Sequence, residues 1–327
     1  MDLIMDIMKN PKVRCKNIAN VEKKIRRIFE DGISSFMVIT DFDYTISRYH
    51  NSKGEECWTS YGVFETGLSE SMNELYRKCE VLKAKYLPIE FDPHMSIAEK
   101  IPYMEKWWDD AHNYIIESRL TKANLENCVK HSRIELRDNA ESFFATLSSN
   151  DVPIIIFSAG IGNVIDIFLQ QKFSKVPDNV HVISNMMEFD DDGYASRFLL
   201  PLIHTFCKNA SVIGSKSHLF ESVIERKNVL LMGDSLGDLD MDKGVVNKGE
   251  VLKIGFLNFN ADALLEKYMD GYDIVLLDDQ SFDIPLKIIN SIPVHLESFG
   301  SRRKLCKFIV IYIRFHNKVF QNLITKN

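Results

Sequence analysis

The sequence predicts an α/β fold: a doubly wound, Rossmann-like parallel sheet with a helical domain inserted after its first strand. Three observations carry this. Short apolar, β-branched runs recur at Phe36–Thr40 (FMVIT), Pro153–Phe157 (PIIIF), Val180–Ser184, Val229–Met232 (VLLM), Val251–Phe256 (VLKIGF) and Asp273–Leu277, as strands buried on both faces do. Helical periodicity fills most of the intervals, and that alternation implies parallel strands with helices on both faces. After Thr45 the strand pattern lapses for about a hundred residues and becomes helical, which marks an insertion.

Taken in order, residues 1–35 form a helical lead-in, with Ile25, Ile28 and Phe29 at helical spacing and Asp31-Gly32 ending the run. FMVIT stops at two carboxylates one residue apart, Asp41 and Asp43. Helical segments follow near 66–86, 97–117, 121–130 and 138–149. The second strand ends in Ser158-Ala159-Gly160 and the fourth in Gly233-Asp234-Ser235-Leu236-Gly237-Asp238. The acidic turn Asp190–Gly193 lies between aromatic residues and predicts a small antiparallel hairpin. The division expected is core over 1–46, helical cap over 47–150, core again over 151–292, and a basic tail over 293–327.

Composition narrows the function classes. The 327 residues carry a net charge of −6, which argues against general nucleic-acid affinity, although residues 293–327 hold seven Lys/Arg against the single Glu297. The apolar run of that tail, Phe308 to Ile313, is too short to span a bilayer. Six cysteines without close pairs or metal spacing read as free thiols in a reducing compartment, and the first residues lack the features of a secretory signal. A cytosolic, monomeric protein is expected.

The chemistry concentrates at strand ends, where open α/β sheets bind ligands. Asp41 and Asp43 can share one site in different surroundings, one ionised and one protonated, which suits a nucleophile beside a general acid; solvated loop acids are the plainer reading. Ser158 offers a hydroxyl, and a following helix N-terminus offers amides, to an anion such as phosphate. Asp234 and Asp238 add carboxylates that repel unless a cation is shared, and hard oxygen ligands favour magnesium. Lys208 could offset both a carboxylate and a phosphate, with Lys216 the competing choice. Gly160-Ile161-Gly162 lacks the third glycine of a dinucleotide fingerprint, Asp190–Asp192 lacks calcium-loop spacing, and the nine histidines show no ligand pairing.

DFDYT, then serine, then lysine, then GDSLGD, in that order on successive strand ends, resembles the haloacid dehalogenase (HAD) superfamily of aspartate-nucleophile phosphotransferases. The resemblance implies that Asp41 attacks phosphorus and that Asp43 protonates the leaving oxygen and later activates water. It implies that Asp41, the Asp43 carbonyl and Asp234 hold Mg2+, that Ser158, Ala159 and Lys208 bind phosphoryl oxygens, and that Asp238 orients Lys208 or a water. The insertion matches the superfamily's cap, which closes over small substrates. DFDYTISR, FSAGIG, NMMEFDDDG, LIHTFCKN, GDSLGDL, and LKIGFLN followed by EKYMDGYDIVL narrow the resemblance, from about residue 15 to residue 292, to the cytosolic 5′-nucleotidase III family. That implies a nucleoside 5′-monophosphate substrate, with Glu90 at the position of the base-binding acid. The cap segments YLPIEFDPH and WWDDAHN are similar to the branch that also accepts 7-methylguanosine monophosphate; the pyrimidine branch has serine where this chain has Ala111. Of Trp107 and Trp108, one is expected in the cap core and the other at the cleft. Alternatives are a HAD phosphatase for another small phosphate ester and a phosphoacceptor domain without turnover.

Overall fold

A computed structural model of the chain describes residues 2–294 apart from 67, 68, 93, 174, 210–222, 224, 244 and 246–248. Lys216 and the tail beyond Val294 lie outside the described residues. The strands are β1 (Val13–Arg14), β2 (Phe36–Thr40), β3 (Ile154–Ile161), β4 (Val180–Asn185), β5 (Met187–Phe189), β6 (Ala195–Phe198), β7 (Asn228–Gly233), β8 (Val251–Leu257) and β9 (Ile274–Leu277). The α-helices among the described residues are α1 (Asp2–Ile7), α2 (Ile18–Asp31), α3 (Glu70–Glu90), α4 (Ile97–Glu117), α5 (Lys122–Lys130), α6 (Ala140–Ser149), α7 (Gly162–Lys172), α8 (Ala261–Gly271) and α9 (Asp283–Asn290).

Seven strands form one sheet in the order β1-β9-β8-β7-β2-β3-β4, parallel throughout except for β1. β5 and β6 make the separate antiparallel hairpin expected around the acidic turn. Every residue of the central β2 is buried, and the pleat sends alternate side chains to opposite faces. Phe36 and Val38 join a cluster with Ile154, Ile156, Leu230 and Met232. Met37 and Ile39 join Ile155, Phe157, Val229 and Leu231 on the other face. Two-sided burial explains why these strands read as unbroken apolar runs.

Three departures from the sequence reading have physical causes. β1 was not expected, because a strand of two residues carries no periodicity; it pairs antiparallel with β9 at the sheet edge. The second parallel strand does not end at Ser158–Gly160: its pairing with β4 lapses after Phe157 and resumes at Ile161 opposite Asn185, so those three residues form a bulge within the strand. The first helix of the insert was expected to stop at 86, ahead of Pro88. α3 instead runs to Glu90, with the Ala84 carbonyl lacking the donor a proline cannot supply.

α3 starts on an N-cap from Ser69 and α4 on a capping box of Ser96 and Glu99, and the two pack side by side. Their seam holds a cluster of Leu82, Tyr86, Met104, Trp108 and Ala111. α5 packs on α7, and α6 on α9. No described helix is long and apolar enough to cross a membrane.

Candidate active site

Parallel register brings the strand ends level. Thr40 pairs with Met232 on β7 and with Ile156 on β3, and the Asp41 N–H donates to the Met232 carbonyl at 2.9 Å. The loops after β2 and β7, and the bulge of β3, therefore open at one place. Asp41, Asp43, Ser158, Asp234 and Asp238 converge there, and Lys208 reaches in from the loop after the hairpin.

Lys208 Nζ donates to Asp41 Oδ1 at 2.5 Å and to Asp238 Oδ1 at 2.7 Å, all three residues being buried. Asp238 Oδ2 accepts the Ser235 N–H at 3.0 Å, closing a capping box over the turn. Gly233 is required beside it, since a Cβ there would stand 2.4 Å from the Asp238 Cβ. Tyr268 Oη donates to the Asp234 carbonyl at 2.5 Å and Tyr272 Oη to that of Ser235, so α8 and the residue after it hold this loop by its backbone. Ser158 Oγ accepts from the Gly160 N–H at 3.0 Å. Asn185, at the end of β4, donates to the carbonyls of Ala159 and Ile203, both at 2.8 Å, tying the bulge to the segment that leads to Lys208.

The loop after Asp43 is strained and pinned from behind. Tyr44 has φ 59°, a left-handed conformation uncommon for a side chain of this size. Its carbonyl accepts from Arg137 Nη2 at 2.5 Å and from Asn258 Nδ2 at 3.1 Å. Arg137, wholly buried, also donates to the Thr45 carbonyl at 2.7 Å and to that of Asp279, and its guanidinium lies 4.1 Å from the centre of the Phe256 ring.

Lys208 is the cation among four carboxylates, and burial and mutual repulsion raise the pKa values of three of them, Asp41, Asp43 and Asp234. Burial pushes Asp41 up to about 7, with Asp238 and Asp43 adding to the rise and Lys208 opposing it. Burial likewise raises Asp43 to about 6 against hydrogen bonds from Ser60. Asp234 is held well above the carboxylate range by burial, Asp41 and Asp238. Burial alone would depress the Lys208 ammonium; Asp238 and Asp41 outweigh it and keep the lysine charged. Carboxylate oxygens of Asp41, Asp234 and Asp238 lie within 4.8 Å of one another, an all-oxygen set that fits a hard divalent cation. Asp238 already serves Lys208 and Ser235, so Asp41 and Asp234 are the carboxylates with capacity for the ion.

The insert reaches this floor at several points. Glu90 Oε1 accepts from Thr205 Oγ1 at 2.8 Å, and burial raises its pKa. Lys100 Nζ donates to the Glu90 carbonyl at 2.8 Å and stands 5.7 Å from the centre of the Phe206 ring, so one cation fixes the end of α3 against the Lys208 loop. Trp108 Nε1 donates to the Ala159 carbonyl at 2.7 Å. Trp107 is half-buried, stacks on Tyr86 at 5.9 Å and meets the Trp108 ring edge-on at 5.1 Å. Ala111 is buried within the same cluster.

Ser60, Arg137, Asn185, Asn258, Tyr268 and Tyr272 escaped the sequence reading. The two tyrosines fell inside a quoted motif, EKYMDGYDIVL, without a role. Asn185 opens NMMEFDDDG and Asn258 closes LKIGFLN, likewise without a role, whereas Ser60 and Arg137 stand alone among unrelated neighbours and no spacing marks them.

A family model described as pyrimidine 5′-nucleotidase (UMPH-1) matches residues 44–293. The match begins just past Asp43, so the first two aspartates rest on geometry. The chain is 46% identical over 274 residues to the cytosolic 5′-nucleotidase 3 of Caenorhabditis elegans, spanning 83% of this chain and 73% of that one. It is 40% identical over 272 residues to the 7-methylguanosine phosphate-specific 5′-nucleotidase A of Xenopus laevis, spanning 83% and 92%. The crystal structure of cytosolic 5′-nucleotidase IIIB bound to cytidine matches with a TM-score of 0.80 at 35% identity, spanning 88% of this chain and 97% of that one.

Proposed function

Since the chain belongs to the pyrimidine 5′-nucleotidase family, phosphoric monoester hydrolases with a HAD-like core, we propose that it hydrolyses 7-methylguanosine and cytidine 5′-monophosphates, with magnesium, through a phosphorylated Asp41. The observation that carries this reading is the Lys208 bridge between Asp41 and Asp238 beneath an insert that delivers Glu90 to the same loop.

Asp41 Oδ attacks phosphorus and displaces the nucleoside 5′-oxygen; Asp43 gives that oxygen a proton. Asp43 then takes a proton from the water that attacks the aspartyl-phosphate, releasing phosphate and restoring Asp41. Lys208 and the Ser158 hydroxyl bind phosphoryl oxygens, and the Ala159 segment shapes their cradle. Asp238 keeps Lys208 aimed, because a lysine held by two carboxylates cannot swing away. Asp41, the Asp43 carbonyl and Asp234 would hold magnesium, whose charge would offset that of the transferring phosphoryl group. Glu90 accepts from the N–H edge of 7-methylguanine or the amino group of cytosine, the Trp107 face favours the cationic methylated ring, and Trp108 holds the Ala159 segment. A cytosolic setting accords with the name of the nematode relative.

The test is phosphate release across a panel of nucleoside monophosphates and sugar phosphates, with and without magnesium. The reading requires magnesium-dependent release from the 7-methylguanosine and cytidine esters and slow release from unmethylated guanosine monophosphate. Equal turnover of all esters would overturn the base preference, and none at all would overturn the hydrolase.

A further inference from the structure

The general acid of the proposed reaction is gripped by a residue from the insert. Ser60 is fully buried, in the stretch between Thr45 and α3. Its backbone N–H donates to Asp43 Oδ1 at 2.7 Å and its hydroxyl donates to Asp43 Oδ2 at 2.6 Å. The hydroxyl oxygen in turn accepts the Ile161 N–H at 3.2 Å, from the end of β3. Because Ile161 supplies a donor to that oxygen, the hydroxyl hydrogen is free to point at Asp43. Space is tight around the group: a Cβ on Gly160 would lie 2.1 Å from Ser60 Oγ and 2.8 Å from Asp43 Oδ2. Asp43 is thus held at both oxygens by one residue, which is itself tied to the β3 bulge that carries Ser158.

We propose that Ser60 is the positioning residue for Asp43, setting the plane of its carboxyl group so that the proton goes to the ester oxygen as the phosphorus–oxygen bond breaks. This rests on the acid role given to Asp43 above. In that step a bond forms between Asp41 and phosphorus while the bond to the nucleoside oxygen breaks. The leaving oxygen keeps the electron pair and takes the proton, and negative charge appears on Asp43. Both Ser60 donors are already aimed at the oxygens that receive this charge, so they stabilise it without rearrangement. Each carboxyl oxygen keeps a second lone-pair direction for the proton and the leaving group. Asp43 belongs to the core and Ser60 to the insert, so the acid is aligned only where the two meet.

The discriminating experiment compares leaving groups. Expulsion of an alcohol from a nucleoside monophosphate needs the proton; expulsion of nitrophenolate from p-nitrophenyl phosphate needs almost none. kcat/KM excludes every step after the leaving group departs, so it isolates the proton donation. Ser60→Ala is expected to lower kcat/KM for cytidine monophosphate by about 30- to 100-fold, chiefly in kcat, and for p-nitrophenyl phosphate by less than about threefold. Ser60→Cys, which keeps the backbone donor and weakens only the side-chain one, should show the same split at about a tenth of the size; it carries the test if the alanine variant fails to fold. Equal losses on both esters would make Ser60 merely structural and overturn the assignment, as would no loss on either. A wild-type chain that cleaves neither ester would overturn the hydrolase reading itself, and the Ser60 role with it.

Discussion

The strand-end floor and the helical insert are held together by different forces. In the floor, Asp41, Lys208 and Asp238 are almost fully buried and each charge has a partner at hydrogen-bond distance. Between α3 and α4 of the insert, contact is aromatic and aliphatic, and large apolar side chains stay open to solvent: Val81 is 68% exposed, Ile97 58%, Phe91 51% and Tyr103 45%. Buried charges tolerate almost no displacement, since an ion pair broken in low dielectric leaves an uncompensated charge. Apolar contacts shift by tenths of an ångström at small cost. The contrast suits the rigid part to the proposed reaction and the adaptable part to the proposed choice of leaving group.

The most severe break is Asp41→Asn, which removes the nucleophile and unbalances Lys208. Phosphate release should fall by about 10⁴-fold or more while circular dichroism stays that of the wild type. Residual turnover near wild type would mean that the floor does not carry the reaction.

Arg137→Met tests whether the floor is rigid because it is pinned from behind. The variant strands the carbonyls of Thr45 and Asp279 and leaves that of Tyr44 to Asn258 alone, and urea unfolding should show a loss of about 3–5 kcal/mol. A loss below about 1 kcal/mol would show that the loop after Asp43 holds its shape unaided.

Substitutions in the insert should act more gently and unequally. Trp108→Phe loses the hydrogen bond to Ala159 and part of the ring's packing in the cluster, and kcat/KM should drop about tenfold for cytidine and 7-methylguanosine monophosphates alike. Trp107→Ala should cost the methylated substrate about 5- to 30-fold more than the cytidine ester, the value of a cation on an aromatic face. Equal losses for both substrates in the Trp107 variant would return that ring to a packing role.

The smallest effect expected is thermal. Asp41 and Asp43 have pKa values raised in the folded chain to about 7 and about 6, so without metal the folded state binds more protons than the unfolded one between about pH 4 and pH 7. Stability from this source is full below pH 4 and is lost as pH rises through 6 to 7. His112, which burial lowers to about 4, works in the opposite direction, losing stability as pH falls below about 6.5. Comparing melting with and without magnesium cancels the histidine. Saturating magnesium should raise Tm by about 4 °C at pH 7.5 and by less than about 1 °C at pH 5. An equal gain at both pH values would place the cation away from these carboxylates.

Much of the floor was legible in the sequence because its signals are local. A buried parallel strand must be an apolar run, and a carboxylate next to its end stands out against that run, so Asp41, Asp43, Asp234 and Asp238 could be found without knowing the strand order. Lys208 could be narrowed to two candidates by its place between strands. The sequence could not show that β7 and β3 flank β2, nor that register sets Thr40 against both Met232 and Ile156. Those facts put the carboxylates in one site. Ser60 and Arg137 were invisible for a related reason: each makes one-off hydrogen bonds to groups distant in the chain, Ser60 to Asp43 and Arg137 to Tyr44. Periodicity records only which face of an element is buried. A single polar side chain, whose partner is chosen by the packing of another element, leaves no mark in its own neighbourhood, and its role exists only once the chain has folded.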